Sequence, residues 1–292
     1  MQALLYYIQL PFLYLLSVLP FPVLYLFSDF VYFILFYIVG YRKEIVRQNL
    51  QRSFPEKSED EILALRKKFY HYFCDLFLET FKTLTISRES MLKHCFMSAE
   101  TQRLFDILNE QKQSCIIVMG HFGNWEWGGN TFSLSCKQPL YVIYHPVSNP
   151  YFDRLLKNMR QRFATRLIPM KETFREMTTN RSHVSATAFI ADQTPPPENA
   201  YWTTFLNQET PVFWGTERIA RKLNYPIVYL SINRIRRGIY EMKAEMLCQN
   251  PATTSEGEIS QLHTRRLEQD INNQPEIWLW SHRRWKHKRP EK

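Results

Sequence analysis

The spacing of apolar positions changes along the chain, and each spacing predicts a different element. Residues 1–41 are apolar almost throughout. Leu, Tyr, Phe, Val and Ile dominate, Pro11, Pro20 and Pro22 interrupt the run, and Asp29 is its single charged side chain. Phe21–Gly40 has the roughly 20 residues that cross a bilayer as a helix, whereas Ala3–Leu19 is shorter and carries Pro11. A spanning helix, a re-entrant hairpin and a segment lying in the interface all fit, with a buried helical pair as the soluble alternative. Asp29 counts against a lipid-exposed span, because a central carboxylate is costly there. No basic region precedes the run and no small-residue cleavage site follows it, so a cleaved signal peptide is not expected. Tyr41-Arg-Lys43, Arg47 and Arg52 then put positive charge on one side, which places that side in the cytoplasm. The expected division is a membrane anchor at residues 1–41 and a cytoplasmic domain at residues 42–292.

Helical spacing takes over next. Ser58-Glu-Asp-Glu61 is a capping box, and Ile62, Leu65, Phe69, Phe73, Leu76, Phe77 and Phe81 recur on one face of a helix running from about Glu59 to Leu84. His71 and Asp75 stand four apart on it and read as a surface pair or a satisfied pair, not as a site. A second helix is expected over 100–112. Cys115-Ile-Ile-Val-Met119 is a continuous apolar run that reads as a short buried strand, and Gly120 ends it. Further strands are expected at Tyr141–Tyr144, Ser185–Ala191, Ile227–Asn233 and Tyr240–Leu247. Helices are expected after Asn149-Pro150, over Glu172–Asn180 and Glu217–Leu223, and from Ser255-Glu-Gly-Glu258 to about Asn272. Such alternation predicts an α/β fold, a central mixed sheet flanked by helices with the site at strand ends, preceded by the N-terminal membrane-associated segment.

Composition narrows the class without naming the ligand. The 292 residues suffice for one large domain, or for one domain with an appendage, and the net charge is +9. A basic surface suits anionic lipid headgroups, phosphorylated substrates, nucleic acid or an acidic protein. The five cysteines are widely spaced with no CxxC, which points to neither a disulfide framework nor a zinc site.

The chemistry concentrates at Gly120-His121-Phe-Gly-Asn-Trp-Glu126. On one continuous helix His121 and Glu126 would lie about 140° apart, since each residue turns roughly 100°. They meet only if His121 is on the loop and Glu126 is in the first helical turn. Gly120 and Gly123 permit that turn, and Asn124 is a plausible N-cap. The carboxylate then holds one ring nitrogen of His121, and the other accepts a proton from a substrate hydroxyl. No Ser or Cys stands nearby as a nucleophile, so a His–Glu pair suits direct attack by that hydroxyl. A structural histidine at a strand end fits the spacing equally well.

This block resembles the HxxxxD/E motif of membrane-bound acyltransferases, and most closely the lipid A biosynthesis late acyltransferases. The similarity covers nearly the whole chain. It includes Arg47-Gln-Asn49-Leu50, Phe54-Pro55-Glu56, Ala191-Asp192-Gln193, Pro211 with Gly215, and Trp278-Leu-Trp280-Ser-His282-Arg283-Arg284-Trp285-Lys286. The resemblance implies transfer of an acyl chain from a thioester on acyl carrier protein to a hydroxyl of a lipid A precursor. His121 would be the general base and Glu126 its partner, with no cofactor, no metal and no covalent acyl-enzyme. It also implies a place on the cytoplasmic face of the inner membrane, in contact with membrane lipids and not with nucleic acid.

Within that frame Arg160 best matches a basic residue near the catalytic pair, with Arg162 close behind. A fixed guanidinium there would contact an acceptor phosphate or stabilise oxyanion charge; an exposed helix charge is the plainer reading. Asp192 and Gln193 leave a strand end, where α/β sheets collect ligands, and Asp192 is expected to pair with an arginine or to cap a loop. Glu217 is a weaker candidate that also fits a helix-dipole role. Tyr201, Trp202 and Phe205 would extend an apolar surface beside the membrane. The Arg- and Lys-rich tail from His282 onward would touch headgroups or stay solvated. Two other functions fit parts of the pattern. A glycerolipid or mannolipid acyltransferase shares HxxxxD/E, but the Phe-Pro-Glu-Gly-x-Arg block of the glycerolipid group is absent here, with only Trp214-Gly-Thr-Glu-Arg218 as a faint echo. A basic binding protein without catalysis explains the charge and leaves the His–Glu placement unexplained.

Overall fold

The computed structural model describes residues 2–290. The first residue of the apolar stretch, and Glu291 and Lys292 of the basic tail, lie outside the described residues. Strands are β1 (Cys95–Met97), β2 (Cys115–Met119), β3 (Leu140–Tyr144), β4 (Arg166–Pro169), β5 (Ala186–Ile190), β6 (Ala200–Phe205), β7 (Gln208–Phe213), β8 (Ile227–Arg236) and β9 (Ile239–Cys248). Helices α1 (Gln2–Val18), α2 (Phe21–Phe33), α3 (Lys43–Ser53), α4 (Glu59–Lys82) and α5 (Arg88–His94) precede the sheet. Helices α6 (Ala99–Glu110), α7 (Trp125–Ser135), α8 (Pro150–Gln161), α9 (Thr173–Thr179), α10 (Gly215–Leu223) and α11 (Glu258–Asn273) alternate with its strands. A π-helical stretch, Ile34–Val39, continues α2.

Seven strands form one mixed sheet in the order β1-β9-β8-β2-β5-β3-β4. The strands from β8 to β4 run parallel, while β9 returns antiparallel to β8 through a tight turn. The separate β6–β7 hairpin forms a second, two-stranded sheet. Strand β2 is buried at every position, as its unbroken apolar run requires. Ile117 and Met119 pack with Trp127 and Phe132 on one face; Ile116 and Val118 pack with Ala220, Leu223 and Ile259 on the other. From β2 the chain crosses beyond β5 to reach β3, and from β5 it crosses beyond β2 to reach β8. The carboxyl ends of β2 and β5 therefore sit side by side at a topological switch point, where a crevice opens.

Helix α4 begins at the expected capping box: Glu61 N–H donates to Ser58 Oγ and Ser58 N–H to the Glu61 carboxylate, at 3.3 and 2.8 Å. Its core face departs from the expected one at Phe77, which is 55% exposed and touches the ring of Phe81. His71 and Asp75 do not pair with each other. Asp75 is buried and accepts from Ser28, Arg234 and Arg237, while His71 stacks on Tyr32 beside Asp29. No local pattern in the sequence signals that α2 and the β8–β9 turn close over α4.

The apolar N-terminus is a helical hairpin docked on α4. Lys82 Nζ reaches the Ser17 carbonyl at 2.7 Å, Ser28 Oγ donates to Asp75 at 2.7 Å, and Tyr25 Oη donates to Glu79 at 2.8 Å. Asp29 has its counter-charge: Arg237 Nη2 lies 2.6 Å from its Oδ1. Phe21–Val39 is long and apolar enough to cross a membrane by length and composition. Its outer side is bare, with Leu26 71% and Ile38 68% exposed.

Candidate active site

The site starts from how β2 ends. Gly120 leaves the strand between Leu267 and Asp192: a Cβ there would stand 2.6 Å from a Leu267 methyl and 3.2 Å from Asp192 Oδ2. Gly123 has φ +62°, and a Cβ would come 1.8 Å from the Ile232 carbonyl. Only glycine satisfies both conditions at that turn. Asn124 then caps α7, its Oδ1 accepting from Trp127 N–H at 3.0 Å, while its Nδ2 donates to buried Glu79 at 2.8 Å. His121 thus lies on the loop and Glu126 in the first helical turn. Replacing Gly123 by alanine is expected to cost about 3 kcal/mol or more, the sum of left-handed strain and overpacking. Urea unfolding of the variant checks it; a midpoint equal to wild type would contradict the turn geometry.

Two carboxylates frame His121, and they divide the work differently from the sequence expectation. His121 Nδ1–H donates to Asp192 Oδ1 at 2.6 Å, and the His121 backbone N–H donates to Asp192 Oδ2 at 2.8 Å. Trp278 Nε1–H donates to the same Oδ2 at 2.8 Å. An ionised carboxylate only accepts, so it fixes the proton on Nδ1 and leaves the Nε2 lone pair facing out. Burial by itself would raise the Asp192 carboxyl, but the His121 ring and these donors outweigh it and hold the group down to about 2. Gln193 Nε2 stands 3.2 Å from His121 Nε2 and donates to it in this state.

Glu126 instead grips an arginine. Arg160 Nε and Nη2 donate to its two oxygens at 2.9 and 2.5 Å, a bidentate fork. Burial opposes the Glu126 charge; the guanidinium outweighs it and keeps the carboxyl below its ordinary value. Asp192, expected beside an arginine, holds the histidine, and the reason is positional. Asp192 leaves β5, the hydrogen-bonded neighbour of β2, at the same level as His121, whereas Glu126 has already turned away with α7 toward α8.

His121, Glu126, Arg160 and Gln193 line one cavity of about 240 Å³, with Trp125, Asn130, Ile143 and Met170 among its other walls. Asp192 stands behind His121. Arg162 is not among the lining residues; its Nη1 donates to the Thr83 carbonyl and ties α8 to the end of α4. Glu217 is also elsewhere: it accepts from Gly257 N–H and Ser260 at the start of α11. That helix begins under Gly257, and Ser255 bonds the Glu258 carboxylate rather than serving as the cap.

The C-terminal block forms the floor of the site. Phe122 and Trp278 make an antiparallel bridge, Leu279 N–H donates to the His121 carbonyl at 3.2 Å, and Gly123 N–H donates to the Ile277 carbonyl at 3.0 Å. Asn49 binds the carbonyls of Trp280 and His282 at 2.8 and 3.0 Å, so two blocks far apart in sequence meet. Part of the start of the basic tail turns inward, while Arg283 and Lys286 stay exposed. Arg284 is 2% exposed and donates to the Pro211 carbonyl, and burial brings His282 down to about 4. Phe205, expected at a membrane-side surface, is 1% exposed against Trp278 and Trp285. Sequence reasoning missed Trp278 as a site residue. The available signal was a tryptophan-rich end to a polar region, since a buried indole N–H needs an acceptor.

A family model for bacterial lipid A biosynthesis acyltransferases matches residues 1–287. Two curated proteins are similar over most of their length: the lipid A biosynthesis palmitoleoyltransferase of Escherichia coli (strain K12) and a lipid A biosynthesis acyltransferase of Shigella flexneri. Each is 22% identical over 259 residues, covering 84% of this chain and 79% of the relative.

Proposed function

The chain belongs to the bacterial lipid A biosynthesis acyltransferases, and from that premise we propose how its own residues carry out acyl transfer to a lipid A precursor. The observation that carries the reading is a histidine with Nδ1–H held by a buried aspartate and Nε2 turned toward a cavity, where only Gln193 hydrogen-bonds to it among the described residues. The acceptor hydroxyl displaces Gln193 from His121 Nε2 and gives its proton to that nitrogen as its oxygen attacks the thioester carbonyl. The tetrahedral intermediate collapses, the C–S bond breaks, and the leaving thiolate takes the proton back from Nε2. Asp192 stabilises the imidazolium formed in between. No serine or cysteine lines the cavity among the described residues, and the one threonine hydroxyl there, Thr165 Oγ1, is engaged by Ser133 and the Gly129 carbonyl, which favours direct transfer over a covalent acyl-enzyme.

Glu126 serves this scheme through Arg160. The bidentate clamp holds a guanidinium at the cavity wall, where it meets a phosphate of the acceptor or the oxyanion of the intermediate. The donor is an acyl thioester on acyl carrier protein, recognised by the basic surface that +9 net charge supplies. The helical hairpin within residues 1–41 inserts its bare apolar side into the cytoplasmic leaflet of the inner membrane, and residues 42–292 form the catalytic domain facing the cytoplasm. Helix α8, which bears Arg160, packs on α1 with Tyr6 and Tyr151 rings 5.4 Å apart. The cavity therefore opens next to the lipid in which the acceptor resides.

One assay tests this. Purified protein, lipid A precursor and a panel of acyl thioesters are mixed, and the product is read by mass spectrometry. An added acyl chain on the precursor is the expected result; acylation of glycerolipid instead would replace the acceptor. With acyl carrier protein as donor, KM is expected to rise severalfold as salt approaches molar levels, because exposed charges are screened. A KM insensitive to ionic strength would point to a donor that the basic surface does not recognise.

A further inference from the structure

A second cavity, of about 150 Å³, lies across the sheet edge from the catalytic one. Strand β5 sends alternate side chains to the two faces. Ala188 and Ile190 join the cluster under α7, while Phe189 and Ala191 pack toward α10. The second cavity lies on the α10 side, walled by Phe189, Phe213, Ile219 and Gly215. It shares Ile143, Met170 and Ile190 with the catalytic cavity, so the two meet at the carboxyl ends of β3 and β5. Its walls are mostly apolar, and Thr173 Oγ1 is already committed to the Met170 carbonyl at 2.9 Å.

We infer that this cavity receives the far end of the transferred acyl chain, and that Gly215 sets how long a chain it accepts. The inference rests on the acyl-transfer reading above. An enclosed apolar cavity of roughly this size takes a hydrocarbon of about six carbons, such as benzene, and this one, open toward the catalytic cavity, has room for a similar length of chain. An alternative void behind Trp125 offers about 30 Å³, little more than room for a water. Gly215 is the telling residue. A Cβ built there meets no atom of the described residues within 4 Å, and its backbone is outside the left-handed region. Nothing in the fold requires glycine at the first position of α10; its missing side chain leaves the cavity wall open.

The test uses the full-length protein with acyl-carrier-protein donors of graded chain length. Gly215→Leu is expected to shift the preferred donor shorter by about two to four carbons. The kcat/KM for longer donors should fall about fourfold for each methylene that no longer fits. Phe213→Ala, which enlarges the same wall, should shift the preference longer and carries the test alone if Gly215→Leu does not fold. Thermal unfolding identifies the folded variants. Folded variants that keep the wild-type chain-length profile overturn the inference and leave the acyl-transfer reading intact. Wild-type protein that transfers no acyl chain from any donor overturns both.

Discussion

Replacing His121 by alanine is expected to lower acyl transfer by about 10²–10⁴-fold, the usual worth of a positioned general base. The loss should fall on kcat, because in the proposed mechanism His121 Nε2 takes the acceptor proton only as the new C–O bond forms. Binding of the lipid acceptor should stay within a few-fold of wild type, since the proposed phosphate contact is Arg160. Folding should also survive. The imidazole is 15% exposed, and Asp192 keeps two of its three donors, the His121 backbone N–H and the Trp278 indole. A stability loss of about 1–3 kcal/mol covers the missing hydrogen bond. Single-turnover transfer, acceptor binding and thermal unfolding together separate these effects. Undiminished transfer by a folded His121→Ala protein would remove the general base from the mechanism. A basic binding protein without catalysis would show no transfer in either form.

The local elements were readable because their determinants are local. The capping box at Ser58, the N-cap at Asn124 and the helix opening at Asn149-Pro150 each depend on residues within one helical turn. The unbroken apolar run of β2 requires burial on both faces, and the sheet supplies it. What the sequence could not place was the outcome of long-range packing. Phe77 follows the apolar periodicity of α4 yet faces outward, while Phe205 and Arg284 are drawn into the interior by the tail. Periodicity gives the face of an element; it does not say which neighbour will cover it.

The site shows the same limit more sharply. The requirement that a helix begin between His121 and Glu126 followed from geometry alone, and the turn has that form. The identity of the histidine's partner did not follow, because sequence spacing favours the nearer acid. Strand order decides it: β5 pairs with β2, so Asp192 emerges beside His121 although 71 positions separate them. Likewise Arg160 was a plausible basic neighbour and Arg162 nearly as plausible. The helical turn directs the first to Glu126 and leaves the second at Thr83.

Replacing Asp192 by asparagine should therefore be as damaging to activity as losing the histidine, for a reason specific to this geometry. The amide has nearly the shape of the carboxylate but only one oxygen. With that oxygen at the position of Oδ2, it still accepts from the His121 backbone N–H and Trp278. Its NH₂ then faces His121 Nδ1 and donates to it, so the ring proton moves to Nε2. A protonated Nε2 cannot take a proton from the acceptor, and transfer is expected to fall about 10²–10⁴-fold. Nitrogen NMR of the His121 ring reports the tautomer directly, a signal that a merely structural role would not move. Stability gives a second signature. The folded carboxyl titrates at about 2 against an ordinary 3.8. That depressed value contributes about 2 kcal/mol above pH ~4, and the contribution disappears as pH falls through about 2. Asparagine does not titrate, so this share of the wild-type advantage should be present at neutral pH and shrink as the pH drops below about 4. An Asp192→Asn protein that keeps Nε2 unprotonated and transfers acyl chains at the wild-type rate would show that Asp192 only packs behind the histidine.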